Sequence, residues 1–197
     1  PGERVEVEVG EVKTELRVVE NARFVVADDR LVYNGELEVE IAKAGVFAVA
    51  LRLPARFDID ALGAAEVSHW DDAVEGDVRT VQVHFKQKVL GTVKLKVALS
   101  RAEAELSKDL AVPRVEVTGA VKHTGQLVLP AERGVRLAVG GRTGLSEFNP
   151  VEVGERGQGA LAFRILRPDW SLALRTEIVE PRVTVDFLHV AHVSDGL

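Results

Sequence analysis

Apolar and polar residues alternate with a period of two along most of this chain. In RVEVEV, Val5, Val7 and Val9 face one way and Glu6 and Glu8 the other. In GELEVEIA, Leu37, Val39 and Ile41 oppose Glu36, Glu38 and Glu40. TVQVHF sets Val81, Val83 and Phe85 against Gln82 and His84, and TVKLKVAL sets Val93, Leu95, Val97 and Leu99 against Thr92, Lys94 and Lys96. Such alternation predicts antiparallel strands with one face buried and one in water. Turn signals fall at Asp28-Asp29, Asn34-Gly35, Ala44-Gly45, Glu75-Gly76-Asp77, Leu90-Gly91, Arg133-Gly134, Gly140-Gly141, Gly157 and Pro168-Asp169. Their spacing predicts about a dozen short strands, with residues 81–99 as a glycine-centred hairpin. The expected fold is all-β: an antiparallel β-sandwich, or a large doubled sandwich, with little helix.

Two segments are open to another reading. In SRAEAELSKDL, residues 100–110, Ser100 can cap a helix with Glu103 at the capping-box position, yet Ala102, Ala104 and Leu106 also alternate as in a strand. TGLSEFNP, residues 143–150, has room for a single turn before Pro150. There is also an internal echo: GELEVEIAKAGVFAV (35–49) resembles GQLVLPAERGVRLAV (125–139). One large β domain over 1–197 accounts for the pattern. The alternative is two β units, 1–100 and 113–197, with the break where Pro113 interrupts the alternation.

Composition narrows the class. The chain has 197 residues, 46% of them hydrophobic, enough for a globular core. Its net charge is −6, from 31 acids and 25 bases that are interspersed. That balance argues against a nucleic-acid binder that works through phosphate contacts. Without cysteine, disulfide, thiolate and cysteine-metal chemistry are excluded. No apolar run approaches the ~20 residues of a membrane helix, so no direct membrane insertion is expected in this segment. The opening at Pro1 and the lack of methionine point to a piece of a longer protein.

The densest candidate chemistry is VSHWDD, where His69, Trp70, Asp71 and Asp72 place an imidazole, an indole and two carboxylates in four positions. Read as a ligand site, His69 is an acid or base, a carboxylate orients it, and Trp70 is a platform for a sugar ring. Regular alternation from Val67, however, puts His69 on the core-facing side and Ser68 and Trp70 opposite. His69 and Trp70 then cannot share a pocket, and Asp71, Asp72, Glu75, Gly76 and Asp77 form a solvated turn. Trp170, after Pro168-Asp169, is the second candidate sugar platform and equally a core residue.

Other constellations are weaker. His189 and His192, with Asp186 or Asp195 and a distant His84 or His123, have zinc-ligand chemistry. Strand alternation in RVTVDFLHVAHVSDG puts the two imidazoles on opposite sides, so no metal ligand is assigned. Asp58 and Asp60 offer carboxylates of the kind calcium takes, but no D-x-D-x-D-G loop follows. VGGRTG and GERGQG match neither phosphate-binding glycine motif. With no G-x-S-x-G and no H-E-x-x-H, no catalytic residue and no cofactor is assigned. The acidic row Glu36, Glu38, Glu40 and the basic row His84, Lys86, Lys88, Lys94, Lys96 read as solvated sheet faces.

The segment LRLPARFDIDALGAAEVSHWDD…GDVRTVQVHFKQKVLGTVKLKVALSR resembles a stretch of large bacterial envelope-associated proteins of unknown function, and FRILRPDWSLALRTEIVEPRV resembles the segment that follows there. The chain also looks like the saddle-like β domain beside the catalytic domain of some metallopeptidases, without that family's catalytic motif. These resemblances imply a β module in a longer protein and an envelope or extracytoplasmic location. The expected function is a noncatalytic structural or protein-interaction module, its partner another domain of the parent chain or a separate protein. Two alternatives are a carbohydrate-binding module using Trp70 or Trp170, and a glycosidase or lyase using paired carboxylates among Asp58, Asp60, Asp71 and Asp72.

Overall fold

The computed structural model describes residues 13–179. Within these residues twelve strands form two sheets, in agreement with the all-β expectation. The first hairpin joins β1 (Glu15–Val26) to β2 (Arg30–Pro54), with Asp28 and Asp29 in the connection. Next come β3 (Asp58–Gly63), β4 (Val67–Glu75) and the long β5 (Val78–Ala102), then β6 (Asp109–Ala111), β7 (Glu116–Val117) and β8 (Ala120–Leu129). The chain continues through β9 (Val135–Thr143), β10 (Leu145–Phe148), β11 (Leu161–Ile165) and β12 (Ser171–Ile178). Nine strands make the large sheet, ordered β10-β11-β8-β1-β2-β5-β3, with β4 also on β5 and β7 also on β2. The small sheet is β6-β12-β9. Among the described residues no helix is long and apolar enough to cross a membrane.

β2 and β5, 25 residues each, form the spine. The predicted apolar rows are its buried face: Leu37, Val39, Ile41, Val81, Val83, Val93, Leu95, Val97 and Leu99 are all buried. Burying each such side chain stabilises the fold by about 1.5–3 kcal/mol. The opposite rows meet in water as cross-strand pairs, Glu36 with Lys96 and Glu38 with Lys94, and the Lys94 ammonium sits 3.6 Å from the Glu38 carboxylate.

Several turn signals lie inside strands instead of between them, and residues 81–99 are not a hairpin. Asn34-Gly35 is mid-β2, where Gly35 leaves room for the Tyr33 ring; a Cβ there would come 2.4 Å from the Tyr33 oxygen. Ala44-Gly45 and Leu90-Gly91 face each other across a double register slip between β2 and β5. Ile41 pairs with Gly91 and Val46 with Val89, so β2 bulges; Val46 and then Ala48 against Val89 and His84 make β5 bulge in turn. Lys43 (φ 67°) and Gly91 (φ 102°) hold the left-handed conformations the slip requires. Gly140 is likewise the unpaired extra residue of a bulge between β9 and β12.

The segment 100–110 contains no helix. Ser100 is held in the ladder between Val32 and Asp58, and the Glu103 amide donates to the Asp29 carbonyl, so neither end of a first turn is free to form. Nor does a turn precede Pro150: β10 runs to Phe148, and a short 3-10 turn starts at the proline, capped by the Asn149 side chain, which accepts from the Val151 amide at 3.1 Å. The echo between 35–49 and 125–139 has no structural counterpart. The first stretch lies wholly within β2, while the second is divided between β8 in the large sheet and β9 in the small one.

Candidate functional site

His69 and Trp70 stand on opposite faces of β4, but the faces are exchanged relative to regular alternation. Val67 pairs with Phe85 and His69 with the adjacent His84, so Ser68 is the extra residue of a bulge. That one-residue insertion turns His69 outward and brings Trp70 inward, half-buried against the core. On the outer face the His69 and His84 rings stack, centroids 4.6 Å apart and 8° from parallel. Asp71, two residues beyond His69, reaches His84 Nε2 at 2.9 Å. Asp72 is drawn instead to Arg79, 3.2 Å away.

The four acids proposed as a carboxylate pair are not gathered in one place. Asp58 sits opposite Ser100 and Asp71 opposite Gln82, towards opposite ends of β5 and on the order of 50 Å apart along it. Asp60 accepts a hydrogen bond from the Ser100 hydroxyl at 2.9 Å. Trp170 is 1% exposed and offers almost no surface for a sugar to stack upon. His189, His192, Asp186 and Asp195 lie outside the described residues.

A buried polar network escaped the sequence reading. Glu20 and His123 are 0% and 1% exposed, on the core-facing rows of β1 and β8. The Tyr33 hydroxyl donates to Glu20 Oε1 at 2.7 Å, and His123 Nε2 lies 2.6 Å from Glu20 Oε2. Gly35 and Ala22, opposite each other, make space for the Tyr33 ring to lie along the sheet. The available signal was Glu20 itself, a carboxylate in the apolar row Val18, Ala22, Phe24, Val26. Burial, reinforced by the neighbouring Glu20 carboxylate, raises the Tyr33 phenol well above its ordinary value near 10. The raised folded value means that this contribution to stability is complete below pH ~10 and is lost as pH rises beyond it. Tyr33 is the sole tyrosine, so absorbance at 295 nm reads it directly. The folded protein is expected to show no tyrosinate at about pH 10.5 and to develop it only on unfolding; titration of the folded protein near pH 10 would contradict the network.

A cleft of about 360 Å³ opens where the two sheets meet. Its walls come from the end of β2 and the following turn (Arg52, Leu53, Arg56), the start of β5, the segment after β6 (Val112, Arg114), β7 (Glu116), and the start of β12. Trp170 closes one wall, its indole N–H without a hydrogen-bond partner among the described residues. Arg114 donates to the Trp170 carbonyl at 3.4 Å and to Glu116 at 2.9 Å. Arg52 and Arg56 are exposed at the rim, with Asp77 the remaining acid among the described residues that line it. Pairing Arg114 with Glu116 therefore leaves two guanidinium groups against one carboxylate, a positive cleft in a chain of net charge −6. The individual arginines carry no sequence motif that marks them as one group.

No protein-family profile matches the chain, and no curated protein matches it in sequence. Among solved structures, native leukotriene A4 hydrolase from Saccharomyces cerevisiae is similar at a TM-score of 0.51 and 8% identity, over 82% of this chain and 29% of that one. An M1 zinc metallopeptidase from Deinococcus radiodurans aligns at a TM-score of 0.47 and 12% identity, over 82% of this chain and 42% of that one. A non-cellulosomal cohesin from Archaeoglobus fulgidus aligns at 0.36 and 11%, over 60% of this chain and 94% of its own. The chain thus spans less than half the length of either hydrolase, and the likeness to the yeast enzyme is one of fold.

Proposed function

We propose that this chain is a noncatalytic protein-interaction module of a longer protein, and that it holds an acidic, partly apolar segment of a protein partner in the cleft between its sheets. The carrying observation is the cleft's charge: Arg52, Arg56 and Arg114 surround apolar walls, and among the described residues only Asp77 and Glu116 oppose them. Apolar surface supplies contact area, while guanidinium groups supply bidentate recognition of carboxylates. The lysine row on the sheet face is a poorer candidate, because Lys94 already faces Glu36 and Glu38. The fold likeness to part of a hydrolase supports a β module that works alongside another domain. In this reading residues 13–179 act as one β domain, since β8, β10 and β11 extend the sheet begun by β1 and β2.

Calorimetric titration with a synthetic peptide of alternating glutamate and leucine tests the reading. Saturable one-to-one binding is expected, weakening as salt screens the rim charges. Arg52→Glu and Arg56→Glu together should weaken it by at least about tenfold, or about 1.4 kcal/mol. Both residues are exposed, so the fold should survive the change. Absence of binding, or affinity unchanged in the double variant, would contradict the proposal.

A further inference from the structure

We infer that His69, Asp71 and His84 form a binding site for a zinc-class divalent ion on the outer face of the β4–β5 pair. Their three ligand atoms lie within 4.8 Å of one another. Imidazole nitrogen with carboxylate oxygen is the donor set that zinc takes, at about 2.0–2.2 Å. Around a tetrahedral ion at that distance, neighbouring ligand atoms stand about 3.3 Å apart. The 2.9 Å between His84 Nε2 and Asp71 Oδ2 therefore needs only a slight opening. But an imidazole lone pair lies in its ring plane and the stacked rings are 8° from parallel, so the exposed His69 ring must turn about its side-chain bonds for both imidazoles to reach one ion. His69 and His84 are direct cross-strand partners, and Asp71 follows His69 by two residues on the same face, so all three project to one side of the pair.

The backbone is bent to achieve this. Without the bulge at Ser68, His69 would lie beside Val67 on the core side and the two imidazoles could not meet. Bulges of this kind commonly re-aim a side chain at a functional position. Neighbouring charges are otherwise engaged: Asp72 by Arg79, and Lys86 by the Ala65 carbonyl at 2.8 Å. Three protein ligands on an exposed face leave the fourth position to water or to an outside donor. The ion would also fasten β4, which among the described residues pairs only with β5, to the spine.

The test is titration of the full chain with zinc chloride by calorimetry, and with cobalt chloride by visible absorption. One equivalent is expected to bind, with an intense four-coordinate cobalt band and a rise in melting temperature. Loss of outer-shell partners typically costs about 10–100-fold in affinity. His69→Gln and Asp71→Asn remove ligands themselves and should cost more, while circular dichroism confirms that both exposed variants stay folded. No binding, affinity unchanged in the His69→Gln/His84→Gln double variant, or binding abolished instead by replacing His189 and His192 would each overturn the site.

Discussion

Replacing His123 by leucine is expected to cost about 3–5 kcal/mol of folding stability, read as a lower urea midpoint at unchanged slope. Glu20 is wholly buried and holds two short contacts, one to Tyr33 and one to His123. Removing the imidazole strands Glu20 Oε2 in the core, where a polar group cannot recover its lost hydration. The loss is expected to be largely reversed in the triple variant Tyr33→Phe, Glu20→Leu, His123→Leu, because every polar member of the network then leaves together. A triple variant no more stable than the single one would show that the network contributes net stability beyond satisfying its own members.

Gly125→Ala is expected to be at least as damaging. Glu20 and Gly125 are partners across the parallel β1–β8 pair, and a Cβ on Gly125 would lie 1.8 Å from the Glu20 carbonyl oxygen. The obstacle is neighbouring backbone, which cannot rotate aside, and Gly125 also holds φ 149°. A cost above ~4 kcal/mol is expected, a large part of the ~5–15 kcal/mol that stabilises a typical domain. Gly76→Ala is the control. Gly76 has φ 59° but open space around its α-carbon, so its cost is that of the left-handed conformation alone, about 1–2 kcal/mol. Equal urea midpoints for the two variants would contradict the close approach of β1 and β8.

The fold class was legible because period-two alternation is a direct consequence of strand geometry. Leu37, Val39, Ile41 and the rows at 81–85 and 93–99 occupy the buried positions predicted for them. Strand ends were less legible, because glycine serves two purposes. At Gly76 it makes a turn, whereas at Gly35 it admits the Tyr33 ring and at Gly91 it accommodates a register slip. Local sequence does not separate these uses; the partner strand does. The faces of β4 were read in reverse for the same reason, since the bulge at Ser68 is defined by pairing with His84 and Phe85. The meeting of Glu20 with His123 depends on a parallel pairing across more than one hundred residues, and the cleft on where β7 and β12 arrive beside β2. Both are products of topology.

The partner is expected to bind in the cleft between the sheets. The most direct measurement is the map of backbone amide shifts in the labelled chain as the acidic peptide is added. Shifts gathered at Arg52, Arg56, Ala111, Arg114 and Leu172, and abolished by the Arg52→Glu/Arg56→Glu variant, are the predicted result. Shifts gathered instead along the Lys94 and Lys96 face, or none at saturating peptide, would contradict it.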